Sequence, residues 1–519
     1  MADRHRGPLI VGTGIAGLYI AIRARELGLK PELVTKARLE ESNTRYAQGG
    51  IAAAIGRDDS VQRHFRDTVR AGAGLVDRPA ARVLTSEAPA RIADLVRLGV
   101  PFDTIDGQIQ LGREAAHSRA RILHAGGDAT GYSIEESLRH RVLEMGIEAR
   151  ERTILREIRS RGSDPPEAVV SAADGTGIET LERRPLVLAT GGAGSLYRQS
   201  TNPSVTTGDG VAVAFRAGAI VSDLEFFQFH PTVFFRTGAP RFLITEALRG
   251  EGAVLRNVHG DRFLPAIHPD GELAPRDVVS RAIASEIERT GHPCVYLDAT
   301  EIPRDRLYTR FPSVCRFLAT FGLDPARDRI PVAPVAHYTI GGVSTDTDGR
   351  TSLPGVYAGG EVASTGVHGA NRLGSNSLLE GLVFGERIAR DLLHPSAGGP
   401  HPPRPPTPIP WPAGAGGPED PGRIDELRDR LWREVGIVRT AAGLTAAVRA
   451  FDRMRSALEP TRAETPAGPG ANAALVSSLI ARAALARTES RGSHYRSDYP
   501  TPEPRWARRL YWIRQGPAG

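Results

Sequence analysis

Lysine is nearly missing from this 519-residue chain: Lys30 and Lys36 are the only two among 66 basic residues. A general preference for arginine excludes no activity, but it singles out Lys36, because a compact ammonium does what a wide guanidinium fork cannot. Cysteine is equally scarce. Cys294 and Cys315 lie far apart with no CxxC spacing, which excludes an all-cysteine iron–sulfur site within the chain and offers no disulfide framework. No HExxH or similar ligand spacing occurs, so no metal is expected. No apolar run reaches about eighteen residues, so no membrane span is expected. The start "MADRHRGPLIVGTGIAGL" enters a strand-and-loop pattern without a small-residue cleavage site, which argues against a secretory leader and makes the cytoplasm the default. The net charge of +6 is spread thinly, and no basic run interleaves with aromatics, so a nucleic-acid groove is not expected.

The composition is globular, with 40% hydrophobic and 24% charged residues. The length corresponds to about three or four domains. Residues 8–36 read as strand, glycine-rich turn, helix and strand: "PLIVGTG", "IAGLYIAIRARELG", "PELVTK". Two more buried-strand signals, "RRPLVLATGGAG" (183–194) and "LPGVYAGGE" (353–361), end in glycine turns. Short β runs followed by turns and helices predict an open parallel α/β sheet. Residues 226–334 are richer in Phe, Pro and His and carry a helix signal at "APRDVVSRAIASEIERTG", which predicts an inserted cap. The sheet domain would then comprise residues 1–225 and 335–393. Residues 394–422 form a Pro/Gly-rich linker that cannot sustain a helix or a central strand. Residues 423–519 hold three segments with helical apolar spacing and predict a small helical domain.

"GTGIAG" (12–17) fits GxGxxG directly after a strand and at a helix start. Gly12 permits the tight turn, Gly14 lets a pyrophosphate reach the backbone, and Gly17 allows close packing, with the phosphates at the helix N-terminus. The ribose-binding carboxylate of a typical NAD site should stand near position 35, where the chain has Thr35 and Lys36. "SNTRYAQGG" (42–50) ends in a glycine pair suited to close backbone contact. "YAGGEVASTGVHGANRLGSNSLLEGLVFG" (357–385) joins a strand end to a polar turn and an apolar helix, whose start can face an electron-rich ring or a carboxylate.

These segments, with "RTESRGSHYRSDYP" (487–500), resemble the flavoprotein family of succinate dehydrogenase and fumarate reductase over essentially the whole chain. Within that family the chain is similar to the branch that oxidises L-aspartate. The resemblance implies an α/β, Rossmann-like FAD-binding domain with an inserted α+β capping domain and a C-terminal helical domain. It implies FAD as cofactor, held by Thr13, Ile15, Ala16, Lys36, Asn43, Thr44, Arg45, Tyr46, Ala47, Gln48, Gly49 and Gly50 beside the glycines. Asp209 of "TTGDG" and Glu361 of "GGE" also contact FAD on this reading, and Ser377 and Leu378 place backbone groups near the flavin. Respiratory members carry a flavin-linked histidine where this chain has Asn43. Asparagine cannot form that bond, so FAD is expected to be non-covalent.

A dicarboxylate substrate needs paired cationic or hydrogen-bonding clamps in a dry pocket, and its oxidation needs a proton acceptor. By the resemblance His230 of "FQFHPT", Thr245 of "ITEALRGEG", His337 of "AHYTIGGV" and Arg372 of "GANRLGSNS" clamp the carboxylates. Arg276 of "APRDVVSRAI" is the implied proton-transfer residue and Glu246 its electrostatic partner. The residues alone equally allow a plain salt bridge from Arg276 to Asp277 or Glu246. Glu114 of "GREAAHSRARI" stands where respiratory relatives have a neutral amide. A carboxylate there would pair with the ammonium of L-aspartate, whereas succinate would leave it unpaired at a cost of about 2–4 kcal/mol.

The reaction implied is oxidation of L-aspartate to iminosuccinate, the first step towards quinolinate and NAD. Oxygen (giving hydrogen peroxide) or fumarate would be the electron acceptor. The alternatives are a soluble fumarate reductase or succinate dehydrogenase-type flavoprotein, against which Asn43, Glu114 and the short tail weigh, and a flavin-bearing carrier, which would leave the clamp residues unexplained. The order of proton and hydride loss, and a handover of product to quinolinate synthase, stay open at this level.

Overall fold

The computed structural model describes residues 7–515 except 161, 163, 396–397, 401, 403–404, 412–413, 419 and 462–464. The opening hexapeptide and those positions of the Pro/Gly-rich linker therefore lie outside the described residues.

Three-residue strands build the nucleotide-binding sheet. Leu9–Val11 pairs in parallel with Leu186–Leu188 on one side and Glu32–Val34 on the other; Val356–Ala358 and Glu148–Arg150 extend the two edges, also in parallel. Parallel strands covered on both faces need no alternation, and Leu9, Ile10, Val11, Leu186, Val187 and Leu188 are all buried. The helix Ile15–Glu26 is apolar nearly all round because it is enclosed by its own sheet and by the helices Thr130–Glu144 and Asn376–Leu393. Gly12 makes the strand-to-helix turn at φ +116°, and a Cβ there would lie 2.0 Å from Ala189 O. Such a conformation and approach admit only glycine.

The cap is an antiparallel sheet in the order Phe227–Phe234, Ile330–Thr339, Val295–Asp298, Val254–Arg256, with the helix Arg276–Thr290 packed against it. Its own core includes Phe234, Leu255, Val279, Ile283, Leu297 and Val332. The expected division at 334/335 falls inside the Ile330–Thr339 strand. That strand pairs with Phe227–Phe234 from Val332 to Thr339, so one ladder joins the cap to the nucleotide-binding part.

The C-terminal helices span Pro421–Glu434, Ala441–Leu458 and Pro469–Ala486. The first begins two residues inside the expected linker. Its first residue is Pro421, whose missing N–H costs nothing there, and Asp420 caps it by accepting from Gly422 N at 2.9 Å. After the helices the chain returns as a strand, Tyr511–Arg514, which sequence periodicity did not reveal. It pairs with Val221–Ser222 and, in parallel, with Thr407–Ile409 from the proline-rich segment. Thr407–Ile409 is the sheet's edge strand, the place where Pro408 can lack its donor. Among the described residues no helix is long and apolar enough to cross a membrane.

Candidate active site

One cavity of about 400 Å³ gathers almost every residue singled out by sequence. Gly12 to Ala16, Lys36, Asn43 to Gly50, Asp209, Glu361, Ser377 and Leu378 line it, as do Glu114, His230, Thr245, Glu246, Arg276, His337 and Arg372. Gly17 does not; a Cβ there would sit 1.9 Å from Gly12 O, so it serves the packing beneath the turn.

At the nucleotide end the question of Lys36 has a geometric answer. Its Nζ donates to Asp209 Oδ2 at 2.7 Å and to Thr207 Oγ1 at 2.6 Å, tying the Glu32–Val34 strand end to the helix Asp209–Arg216. Burial opposes the charge on Asp209, yet Lys36 holds its carboxyl below the usual carboxylate range. Thr35, where a ribose acid would stand, is buried and receives a hydrogen bond from Thr13 Oγ1 at 3.2 Å. The first turns of Ile15–Glu26 and Asn376–Leu393 both open into the cavity, offering two positive helix ends. Gln48 Oε1 and Thr190 Oγ1 line it too, buried and without a partner. Two helix starts opening into the cavity, a side-chain-free turn and orphaned polar atoms together fit a dinucleotide such as FAD.

Near the middle, Asn43 Nδ2 donates to Glu361 Oε2 at 3.1 Å, and Asn202 Nδ2 donates to Asn43 Oδ1 at 3.1 Å. Glu361 also accepts from Thr339 N at 2.9 Å, but burial dominates and pushes its carboxyl up to about 7.

At the far end two buried side chains, His230 and Arg372, keep a ring or guanidinium nitrogen without a partner. His230 Nδ1 accepts from Thr232 N at 3.3 Å, which leaves Nε2 as the protonated nitrogen of the neutral ring; that N–H is buried and unpartnered. His337 lies edge-on at 5.1 Å between ring centroids and shares a hydrogen bond with Thr201 Oγ1 at 2.9 Å. Burial, then the nearby Arg276 charge, holds both imidazoles well below the ordinary histidine value. Thr245 caps the helix Glu246–Gly250 by accepting from Ala247 N at 3.4 Å, so its hydroxyl proton is free to point into the cavity. Arg372 lies over the Tyr338 ring at 4.4 Å and gives Nη1 to Gln228 Oε1 at 3.2 Å, while its Nε has no partner. Burial and the Arg276 charge lower the Arg372 guanidinium to about 10.

Arg276 stands at the start of its helix and donates Nε to Glu246 Oε2 at 2.5 Å and Nη1 to Gln228 Oε1 at 3.1 Å. Burial opposes ionisation of Glu246, but Arg276 and Arg249 together hold its carboxyl below the usual range. Glu114 is buried and accepts from Ser375 Oγ at 2.8 Å. Burial, reinforced by the Glu246 charge, raises its carboxyl despite Arg276 and Arg372.

Several members of the site escaped sequence reasoning. Gln228, the acceptor shared by Arg276 and Arg372, lies two residues before His230 on one strand and so on the same face. Arg249 lies three residues after Glu246 on one helix, 3.8 Å from its carboxylate, with Nε and Nη2 buried and lacking hydrogen bonds. Strand and helix periodicity could have found both. Tyr338 and Ser375 gave no such signal, because their partners are distant in sequence.

The FAD binding domain family matches residues 8–378, and the family described as fumarate reductase flavoprotein C-term matches residues 424–518. An L-aspartate oxidase of Streptomyces coelicolor is 42% identical, covering 98% of this chain and 91% of the relative. One from Caulobacter vibrioides is 43% identical, covering 96% and 94%. Among solved structures, Mycobacterium smegmatis Sdh1 is 34% identical with a TM-score of 0.78, covering 97% of this chain and 91% of that one. A variant of E. coli quinol fumarate reductase FrdA is 29% identical with a TM-score of 0.83, covering 96% and 92%. The FAD-binding match spans the whole cavity and the likeness runs nearly end to end, so the chain belongs to the L-aspartate oxidase branch of the succinate dehydrogenase and fumarate reductase flavoproteins.

Proposed function

We propose that this protein oxidises L-aspartate to iminosuccinate, with oxygen or fumarate as the final acceptor, in the cytoplasm and as the first step towards quinolinate and NAD. The observation that carries the reading is the buried Glu114 carboxylate, set among groups that otherwise bind anions. A plain dicarboxylate leaves Glu114 unmatched. A dicarboxylate bearing an ammonium matches every group, and one missing partner at such a site costs several kilocalories per mole.

Bound FAD supplies the two-electron acceptor. The free N–H groups of His230 and Arg372, with the Thr245 hydroxyl and His337, bind and orient the two carboxylates. Glu114 and the partnered Ser375 hydroxyl take the ammonium and set which substrate carbon faces inward. Arg276 takes up the proton released on oxidation only as it passes its own Nε proton to the Glu246 carboxylate 2.5 Å away, which also keeps the guanidinium oriented. Burial of these side chains excludes water, which would otherwise weaken each charge pair and hydrolyse the imine. A product so easily hydrolysed suits direct handover to quinolinate synthase.

The test is an anaerobic titration of the purified yellow holoenzyme. L-aspartate should bleach it and succinate should not; bleaching by succinate alone would reassign the protein to the fumarate reductase type.

A further inference from the structure

We infer that His117 is a positioning residue for substrate selectivity: it pins the Gly374 carbonyl so that Ser375 and Glu114 stay aimed at the substrate's amino group. The inference rests on the function proposed above and concerns a residue that need not touch substrate.

His117 is buried three residues beyond Glu114 in the same turn, closed by His117 N donating to Glu114 O at 3.3 Å around Ala116 at φ +63°. Its ring is held from behind by Arg121. That guanidinium is fully buried and gripped by Asp59 through Nε and Nη2, at 2.7 and 2.9 Å, and by Asp67 through Nη1 at 2.6 Å. The same Nη1 reaches His117 Nδ1 at 3.0 Å. A guanidinium can only donate, so Nδ1 must accept and the ring proton must sit on Nε2. Nε2 lies 3.0 Å from Gly374 O and therefore donates to it. Burial, with the His64 ring and the Arg121 charge nearby, lowers His117 to about 3, so the ring is a neutral strut rather than a proton carrier.

The next residue, Ser375, holds a left-handed backbone at φ +61°, which a side chain rarely adopts unaided. Its hydroxyl donates to Glu114 Oε2 at 2.8 Å. The turn 114–117 thus grips consecutive residues of the opposite segment twice, once at Gly374 O and once at Ser375 Oγ. There is no slack between them: a Cβ on Gly374 would lie 2.8 Å from Glu114 Oε2 and 3.4 Å from Arg276 Nη2.

His117→Leu removes both hydrogen bonds; His117→Gln keeps a donor and an acceptor on one side chain. In the FAD-loaded enzyme, His117→Leu should raise the L-aspartate KM and lower its kcat/KM about tenfold or more, the scale expected of a small misplacement, while the inhibition constant of succinate as a competing ligand changes by less than about threefold. The His117→Gln enzyme should recover to within about threefold of wild type. Ser375→Ala tests the last link without touching the buried strut and should likewise lower the L-aspartate kcat/KM while sparing succinate affinity. A wild-type enzyme that prefers succinate would sink the proposed function itself. If wild type prefers L-aspartate, an unchanged L-aspartate kcat/KM in Ser375→Ala, or equal losses of L-aspartate kcat/KM and of succinate affinity in His117→Leu, overturns the role of His117 alone.

Discussion

Arg276 Nε donates to Glu246 Oε2 across 2.5 Å, with both side chains buried. A pair this close and dry fixes the guanidinium plane, and Gln228 fixes its rotation from the other side through Nη1. A guanidinium held from two sides suits the proton transfer proposed for it. Replacing Arg276 by Lys keeps a charge but loses the fork. Anaerobic stopped-flow reduction by L-aspartate should slow by about 10²–10⁴-fold, with FAD retained. A slowing of less than about threefold would remove Arg276 from the chemistry.

If Glu114 pairs with the ammonium as proposed, substrate preference should depend on pH. Its carboxyl is raised, first by burial and then by Glu246, so it protonates on acidification earlier than an ordinary glutamate. Protonation removes the ammonium's partner, and L-aspartate binding should therefore weaken as pH falls while succinate binding does not. Glu114→Gln should flatten that dependence and erode the preference at every pH; a steep dependence persisting in the variant would point to another group.

The same carboxylate costs stability in the ligand-free protein. A carboxyl raised on folding makes the native state bind more protons than the unfolded one, so stability falls as pH rises from the unfolded value through the raised one. Above that window Glu114→Gln should stabilise the ligand-free form by about 0.5–2 kcal/mol, the usual gain when a functional strain is relieved. Urea denaturation followed as a function of pH would show it as a gain that grows towards the alkaline side; a loss of stability there would contradict a burial cost on this carboxylate.

Non-covalent FAD has a direct chemical readout. Asn43 spends both ends of its amide, on Glu361 and on Asn202, and has no nucleophilic ring nitrogen. Acid precipitation should leave the yellow colour in the supernatant. Flavin in the washed pellet would require an attachment elsewhere in the chain.

The C-terminal return depends on another buried pair. Arg487 is fully buried, reaches Glu225 Oε1 at 2.7 Å and Glu489 Oε1 at 3.0 Å, and donates to the Trp506 and Arg508 carbonyls. Arg487→Met leaves Glu225 buried against its solvation and should cost about 3–5 kcal/mol. Adding Glu225→Gln should restore part of that. A single variant within about 1 kcal/mol of wild type would show that the pair does not latch the tail.

Local patterns were enough to identify the first strand–turn–helix–strand, the buried strands near 186 and 356, the Arg276 helix and the three C-terminal helices. Each is set by backbone periodicity, by glycine where φ must be positive, or by proline where a donor must be absent. Motif order likewise carried the family and about half of the cavity lining. What no local pattern contains is who meets whom across hundreds of residues. That Lys36 holds Asp209, that Tyr511–Arg514 closes a sheet begun near Val221, that Ser375 holds Glu114 and His117 holds Gly374, all follow from long-range packing. Residue types specify which chemistry is available, because donors, acceptors and charges belong to side chains. Only the folded chain decides which of those groups end up dry, adjacent and left without a partner, and that state is what a buried carboxylate needs in order to be selective rather than merely acidic.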